Sequence, residues 1–137
     1  MSNSEIKNIL LKKIKEKTAV VAVIGLGYVG LPLAVEKAKA GYRTIGFDIQ
    51  EKRVKMVNEG HNYIGDVVDE ELADLVKKGL LSATTDFSIV KDADCIAICV
   101  PTPLDEYQQP DISYVKQSAK DISKYLKKGS IVVLEST

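Results

Sequence analysis

Short apolar runs alternate along the chain with segments in which apolar residues recur every three or four positions. The runs are rich in β-branched residues and are predicted as strands at 19–24, 43–48, 80–84, 94–100 and 131–134. The segments between them predict helices at 28–40, 51–59, 69–78 and 111–126, with a brief helix or turn at 87–91. Strands that are apolar throughout are typical of a parallel sheet covered on both faces. The pattern therefore predicts an α/β fold, with a doubly wound, mainly parallel sheet and helices on both faces.

Residues 1–17 precede the first predicted strand and form a separate N-terminal extension. Ile6, Ile9, Leu10 and Ile14 recur at helical spacing, which predicts a short amphipathic helix. Lysines interrupt its apolar residues, so it does not have the continuous apolar core of a signal peptide. Two roles remain open for this helix: packing on the domain, or lying at a membrane surface.

The remaining residues, 18–137, are enough for one domain. A complete doubly wound domain of this type has six strands, and only five are predicted before Thr137. We therefore expect an incomplete domain, truncated at its C-terminal end, from the N-terminal part of a longer protein.

Charge and composition disfavour two classes of binding partner, nucleic acids and membranes. The 19 basic and 19 acidic residues cancel, whereas a nucleic-acid groove usually brings a net positive charge. The longest uncharged apolar stretch, 18–35, contains three glycines and Pro32, which disfavours a membrane span. We therefore expect no nucleic-acid or membrane partner. The lone histidine, His61, is predicted to be a solvated loop residue, and no metal site is predicted.

The two cysteines, Cys95 and Cys99, fall four residues apart on one predicted strand. A strand rises roughly 3.3 Å per residue, which separates them by about 13 Å. A disulfide requires Cα atoms within about 7 Å, so the pair is predicted to be unbonded and the location to be cytoplasmic.

A glycine motif lies between the first predicted strand and the first helix of the domain. Gly25, Gly27 and Gly30 form the pattern G-x-G-x-x-G, with Tyr28 and Val29 between the last two glycines. In dinucleotide-binding domains the first glycine permits a tight turn, the second admits a pyrophosphate and the third allows close helix packing. An ordinary structural turn is the alternative. The strand–turn–helix context favours the phosphate site and predicts a Rossmann-like domain.

An acidic residue at the end of the second strand is the next requirement of such a site. Asp48 stands eighteen residues after Gly30, where its carboxylate can accept the adenosine ribose hydroxyls and repel a 2′-phosphate. Asp48 thus favours NAD over NADP as cofactor. Arg53 is open to three interpretations: stacking near the adenine, receiving a 2′-phosphate, or forming solvated helix surface.

Several longer segments carry a family resemblance. VIGLGYVGLPLA, GFDIQEKRV, NEGHNYIGDV, CVPTPL and VVLEST together resemble nucleotide-sugar 6-dehydrogenases of the UDP-glucose/GDP-mannose dehydrogenase family, with most likeness to the UDP-N-acetylhexosamine branch. The resemblance covers residues 19–137 and implies oxidation of the 6-hydroxyl of a UDP-sugar to a carboxylate with two NAD⁺. It also implies a cytoplasmic enzyme of polysaccharide biosynthesis that is a homodimer as the parent protein.

The resemblance also implies roles for particular residues. The glycine motif would hold the pyrophosphate and Asp48 the ribose, with Arg53 nearby, while a loop of Val100, Pro101, Thr102 and Pro103 would lie beneath the ribose. Glu135, Ser136 and Thr137 would lie at the same edge of the sheet, with Thr137 near the nicotinamide and the catalytic water. The central helix and the catalytic C-terminal domain of the family are absent from this sequence, so this chain alone is expected to be inactive.

Two other classes of protein compete with this interpretation. A stand-alone nucleotide-sensing module has a similar length, but it would complete its sheet within the chain. Another two-domain dehydrogenase, of the hydroxyacid or phosphogluconate kind, is disfavoured by CVPTPL and VVLEST.

Overall fold

The computed structural model describes residues 1–135. Its strands are β1 (Val21–Ile24), β2 (Thr44–Phe47), β3 (Leu81–Thr84), β4 (Cys95–Ile98) and β5 (Ile131–Leu134). Its helices are α1 (Asn3–Glu16), α2 (Gly30–Lys39), α3 (Glu51–Asn58), α4 (Asp69–Lys77) and α5 (Ser113–Ser123), with a 3₁₀ helix at Phe87–Asp92.

The five strands form one parallel sheet in the order β3-β2-β1-β4-β5. This arrangement confirms the predicted Rossmann-like α/β fold. In the pairing register, Ile24 of β1 stands opposite both Phe47 of β2 and Ile98 of β4. The carboxyl ends of the three central strands are therefore level, and the residues that follow them meet at one edge of the sheet.

Alternate residues of the strands are buried in two cores, one on each face. Val21 and Val23 pack with α2, α3 and α4, whereas Ala22 and Ile24 pack with the 3₁₀ helix and α5. Every residue of β1 and β2 is buried, and all are apolar except Thr44, whose hydroxyl donates to the Tyr42 carbonyl at 3.0 Å.

Two helices begin later than the sequence predicted, and local hydrogen bonding explains the later start of α5. The prediction placed the start of α2 at residue 28, but Tyr28 and Val29 belong to the turn. Helix α5 begins at Ser113 instead of residue 111, because the Asp111 carboxylate accepts a hydrogen bond from the Ser113 amide at 2.9 Å.

Helix α1 packs at the amino-terminal edge of the sheet. The Tyr42 hydroxyl donates to the carbonyl of Ile14 at 2.8 Å. Asp94 accepts the Val20 amide at 2.8 Å and forms ion pairs with Lys13 of α1 at 3.2 Å and Lys127 at 2.8 Å. The C-terminal end of α1 therefore contacts the domain, although no residue of the helix is buried. Within residues 1–135, no helix has the length and hydrophobicity needed to cross a membrane.

The charge of the Asp94 carboxylate is expected to stabilise the folded chain. Burial would raise the pKa of Asp94, but hydrogen bonds from Lys127, Val20 and Lys13 together outweigh burial and lower the pKa. A carboxyl whose folded pKa is lowered stabilises the fold above its unfolded pKa of about 3.9, and that contribution is lost as the pH falls further. Because both lysines are more than a third exposed, we expect Asp94→Asn to cost only about 1–2 kcal/mol near neutral pH.

Urea denaturation of the wild type and Asp94→Asn between about pH 7 and about pH 3 tests this prediction. The difference in unfolding free energy should be constant near neutral pH and should shrink below about pH 4. A difference that stays the same at every pH would show that the charge of Asp94 does not stabilise the fold.

Candidate functional site

The glycine turn connects β1 to α2 at the carboxyl edge of the sheet. Gly25 has φ +94°, and a Cβ atom there would lie 3.1 Å from the backbone of Cys99 and Val100. At Gly30, a Cβ atom would overlap the carbonyl oxygen of Gly25. The first and third glycines of the motif are therefore required by the fold itself.

Gly27 differs from the other two glycines of the motif. A Cβ atom there would meet nothing closer than Arg53 Nη1 at 3.9 Å, so this part of the turn faces open space. The start of α2 has neither a side-chain cap at Val29 nor an acidic residue in its first turn, within the described part of the chain. An approaching anion thus meets the positive end of the helix dipole without a side chain of α2 itself in competition. The side chain of Tyr28 is 84% exposed beside this opening.

Asp48 follows β2 and reaches across to the glycine turn. Its carboxylate accepts the Leu26 amide at 2.9 Å and the Gln50 amide at 2.8 Å. Asp48 is only 6% exposed. The sequence predicted that Asp48 and the glycine turn would meet, and the structure brings them into direct hydrogen-bond contact.

Arg53 lies on α3, and its Nη1 atom is 3.4 Å from Asp48 Oδ2. The guanidinium also lies over the ring of Tyr63, with Cζ 5.8 Å from the ring centroid. Of the three interpretations that the sequence left open, simple solvated helix surface is wrong, because Arg53 pairs with a buried carboxylate and contacts an aromatic ring.

Tyr63 is a residue of the site to which the sequence gave no role. Its hydroxyl donates to the carbonyl of Leu26 at 2.6 Å. Burial raises the pKa of Tyr63 to about 12, with Arg53 lowering it and Asp48 raising it. The phenol is therefore protonated at neutral pH and acts as a donor. No local sequence signal indicates this contact, because it joins residues 37 positions apart.

Residues 100–103 form the loop that leaves β4. Val100 packs against the core on the α5 side of the sheet, while Pro101 and Pro103 are exposed and Thr102 is half-buried. The Pro103 carbonyl accepts the Asp111 amide at 2.7 Å, which closes the loop. The loop begins next to the glycine turn, because a Cβ atom at Gly25 would lie 3.1 Å from the Val100 amide nitrogen.

Glu135 follows β5, and its amide donates to the Ile98 carbonyl at 2.9 Å. The residue therefore lies at the same edge as the glycine turn. Burial, with a smaller contribution from Glu135, raises the pKa of Cys99 to about 11. Cys95 and Cys99 are both free thiols, and neither is an activated nucleophile. The predicted site residues Ser136 and Thr137 lie outside the described residues.

A surface cleft begins at Ile49, the residue after Asp48, and contains residues that the sequence did not single out. It is lined by Ile49, Thr85, Phe87, Asp121, Lys124 and Tyr125. Apolar and polar side chains from α5 and from the ends of β2 and β3 thus meet beside the predicted ribose position. Its lining comes from three separate segments of the chain, so no single motif could have indicated it.

A glycine turn open at Gly27, an uncapped helix start and a carboxylate on the next strand define a dinucleotide-binding domain. The sequence model for the NAD binding domain of the UDP-glucose/GDP-mannose dehydrogenase family matches residues 19–137. The chain therefore belongs to this family and is its NAD binding domain, which confirms the resemblance and the cofactor inferred from the sequence.

Individual relatives agree with this assignment. UDP-N-acetyl-D-glucosamine 6-dehydrogenase of Pseudomonas aeruginosa is 42% identical over 118 residues, which are 85% of this chain and 27% of that protein. UDP-N-acetyl-D-mannosamine dehydrogenase of Escherichia coli K12 is 42% identical over 87% of this chain and 28% of that protein. The crystal structure of NDP-N-acetyl-D-galactosaminuronic acid dehydrogenase from Methanosarcina mazei superposes with a TM-score of 0.80 and 32% identity, covering 93% of this chain and 30% of that one.

The chain thus spans less than a third of the length of these relatives. All three are named as dehydrogenases, two of them of UDP-N-acetylhexosamines. A stand-alone nucleotide-sensing module is not favoured by these similarities.

Proposed function

We propose that this chain supplies the NAD site of a cytoplasmic UDP-sugar 6-dehydrogenase. The parent protein would oxidise the 6-hydroxyl of a UDP-N-acetylhexosamine to a carboxylate with two NAD⁺, as a homodimer. The names of the relatives support the substrate class. Two free thiols, one of them buried, suit the reducing cytoplasm.

In this proposal the cofactor's diphosphate lies against Gly27, Tyr28 and Val29. Backbone amides at the start of α2 would donate to the phosphate oxygens, and the helix dipole would stabilise their negative charge. Gly25 and Gly30 would complete the motif that holds the diphosphate, because the absence of a side chain at each keeps the turn compact enough to leave the opening free. The bound NAD supplies the hydride acceptor, and the residues of this chain position it.

The two ends of the cofactor would be held by different strand ends. Asp48 would accept the hydroxyls of the adenosine ribose, and its charge would exclude a 2′-phosphate. Arg53 would stack near the adenine, and the cleft that begins at Ile49 would receive the other side of the base. The loop of Val100, Pro101, Thr102 and Pro103 would lie beneath the nicotinamide ribose, which suits ligand binding beyond the carboxyl ends of parallel strands.

The nicotinamide itself would lie towards the end of β5, near Glu135, Ser136 and Thr137. We assign Thr137 the position beside the nicotinamide and the catalytic water. Hydride transfer also needs a positioned sugar substrate, and in this proposal the remaining part of the parent protein holds it. The 137-residue chain alone should therefore bind NAD(H) without turning over a UDP-sugar.

The contact between Asp48 and the Leu26 amide carries this proposal, because it joins the ribose-binding carboxylate to the phosphate-binding turn. Isothermal titration calorimetry of the 137-residue chain with NADH and NADPH tests it. We expect saturable NADH binding and NADPH binding that is weaker by roughly tenfold or more, from repulsion between Asp48 and the 2′-phosphate. Failure of the folded chain to bind NADH at millimolar concentration, or a preference for NADPH, would contradict the proposal.

A further inference from the structure

The backbone amide and the backbone carbonyl of Leu26, in the glycine turn, both form hydrogen bonds with side chains from other segments of the chain. The Leu26 amide donates to Asp48 at 2.9 Å, and the Leu26 carbonyl accepts the Tyr63 hydroxyl at 2.6 Å. The Leu26 side chain is 1% exposed and packs in the core. The peptide groups on either side of Leu26, which lead directly to Gly27, are therefore fixed from two directions.

The two holding side chains are linked to each other through Arg53. Its guanidinium is 3.4 Å from the Asp48 carboxylate and lies over the Tyr63 ring, 5.8 Å from the centroid. Leu26, Asp48, Arg53 and Tyr63 thus form a closed ring of contacts around the predicted ribose and diphosphate positions. Asp48 and Arg53 are both expected to engage the cofactor, whereas Tyr63 contacts the protein partners of that interaction.

Tyr63 lies in the segment between α3 and α4, and its neighbours hold it firmly. The Asn62 carboxamide oxygen accepts the Ile64 amide at 2.7 Å, and its nitrogen donates to the carbonyls of Ile64 and Val67. Ile64 and Val67 are each 6% exposed and belong to the core. A side chain that positions a binding loop must itself be held in place, because otherwise that side chain and the loop move together.

We propose that Tyr63 is a positioning residue for the cofactor, whose hydroxyl sets the glycine turn and whose ring sets the Arg53 guanidinium in the arrangement that binds NAD. This inference rests on the proposed cofactor site and adds a residue that the G-x-G-x-x-G motif does not contain. The hydroxyl and the ring make separable contributions, since the first acts on the turn and the second on Arg53.

The chain offers a matched control for the hydroxyl. Tyr42 also donates its hydroxyl to a backbone carbonyl, that of Ile14 at 2.8 Å, and it is also half-buried, but it lies at the opposite edge of the sheet. Tyr63→Phe and Tyr42→Phe should therefore both lower the melting temperature slightly. Only Tyr63→Phe should weaken NADH binding, by roughly fivefold to tenfold. Tyr63→Leu, which also removes the ring, should weaken NADH binding further.

Calorimetric titration with NADH, well below the melting temperature of each variant, measures these effects. Equal NADH affinities of wild type, Tyr63→Phe and Tyr42→Phe would overturn the positioning role, because a purely structural hydroxyl changes only the melting temperature. Failure of the cofactor site itself has a different signature: wild type would not bind NADH, or Gly27→Val would bind it as tightly as wild type.

A second measurement uses the wild-type sequence, so it does not depend on whether any Tyr63 variant folds. In the chain labelled with 3-fluorotyrosine, the ¹⁹F resonance of Tyr63 should shift on addition of NADH, while that of Tyr42 should not. A Tyr63 resonance that stays in place as NADH saturates the protein would overturn the proposal.

Discussion

Gly30→Ala should destabilise the fold by about 3 kcal/mol or more, because the new methyl group would overlap atoms that are already packed there. A Cβ atom there would overlap the Gly25 carbonyl oxygen, lie 2.8 Å from the Gly25 carbonyl carbon and lie 3.3 Å from Cys99 Cβ. Two of these three atoms are backbone, so relief requires α2 to move away from β1. Thermal denaturation should show a melting temperature lower by about 10 °C.

Gly27→Ala is the matched control, since it adds the same methyl group three residues earlier in the chain. Nothing lies closer than 3.9 Å to the added atom, so stability should change by less than about 1 kcal/mol. NADH affinity should nevertheless fall roughly tenfold, because the methyl group occupies the approach of the diphosphate. Equal melting temperatures for Gly30→Ala and Gly27→Ala would contradict the packing that the structure shows between α2 and β1.

Asp48→Asn should weaken NADH binding by roughly 10-fold to 100-fold and should cost about 1–2 kcal/mol of stability. The asparagine oxygen can still accept the Leu26 amide, but the asparagine NH₂ then replaces the acceptor of the Gln50 amide. The charge that pairs with Arg53 and strengthens hydrogen bonds from the ribose hydroxyls is also gone. Repulsion of a 2′-phosphate is lost at the same time, so the preference for NADH over NADPH should narrow. Calorimetric titrations with both nucleotides measure the two effects separately.

Asp94→Asn is the matched control for Asp48→Asn. Asp94 is 5% exposed and Asp48 is 6% exposed, and each accepts a backbone amide and pairs with a basic side chain. Asp94 lies at the amino-terminal edge of the sheet, so its substitution should reduce stability and leave NADH affinity unchanged. Similar losses of NADH affinity in both variants would show that a general loosening of the fold, and not the ribose contact, is responsible.

The features of the site that the sequence predicted all depend on residues close together along the chain or at the ends of strands. The glycine turn follows directly from β1, and Asp48 follows β2, so the topology of a parallel sheet brings them to one edge. The order of apolar strands and amphipathic helices was sufficient to predict that topology. The loop of Val100, Pro101, Thr102 and Pro103 was predicted from the family resemblance, and its place directly after β4 brings its start to the same edge.

The features that the sequence did not predict depend on side chains that meet only after folding. Tyr63 reaches Leu26 across 37 positions, and Lys13 and Lys127 meet at Asp94 from opposite ends of the chain. The hydrophobic periodicity of a sequence does not show which distant residue a lysine or a tyrosine will contact in the folded chain. Arg53 was predicted only as a candidate residue of the site, and its contacts with Asp48 and Tyr63 depend on how α3 packs in the folded chain.

Backbone amide chemical shifts, measured during a titration of the isotopically labelled chain with NADH, show directly where the dinucleotide binds. We expect saturable shifts for the amides of Leu26, Gly27 and Gly30 and for those of Gln50 and Thr102, with no change at Val20 or Lys13. Shifts concentrated at the amino-terminal edge of the sheet, around Asp94 and α1, would contradict the assignment of the site.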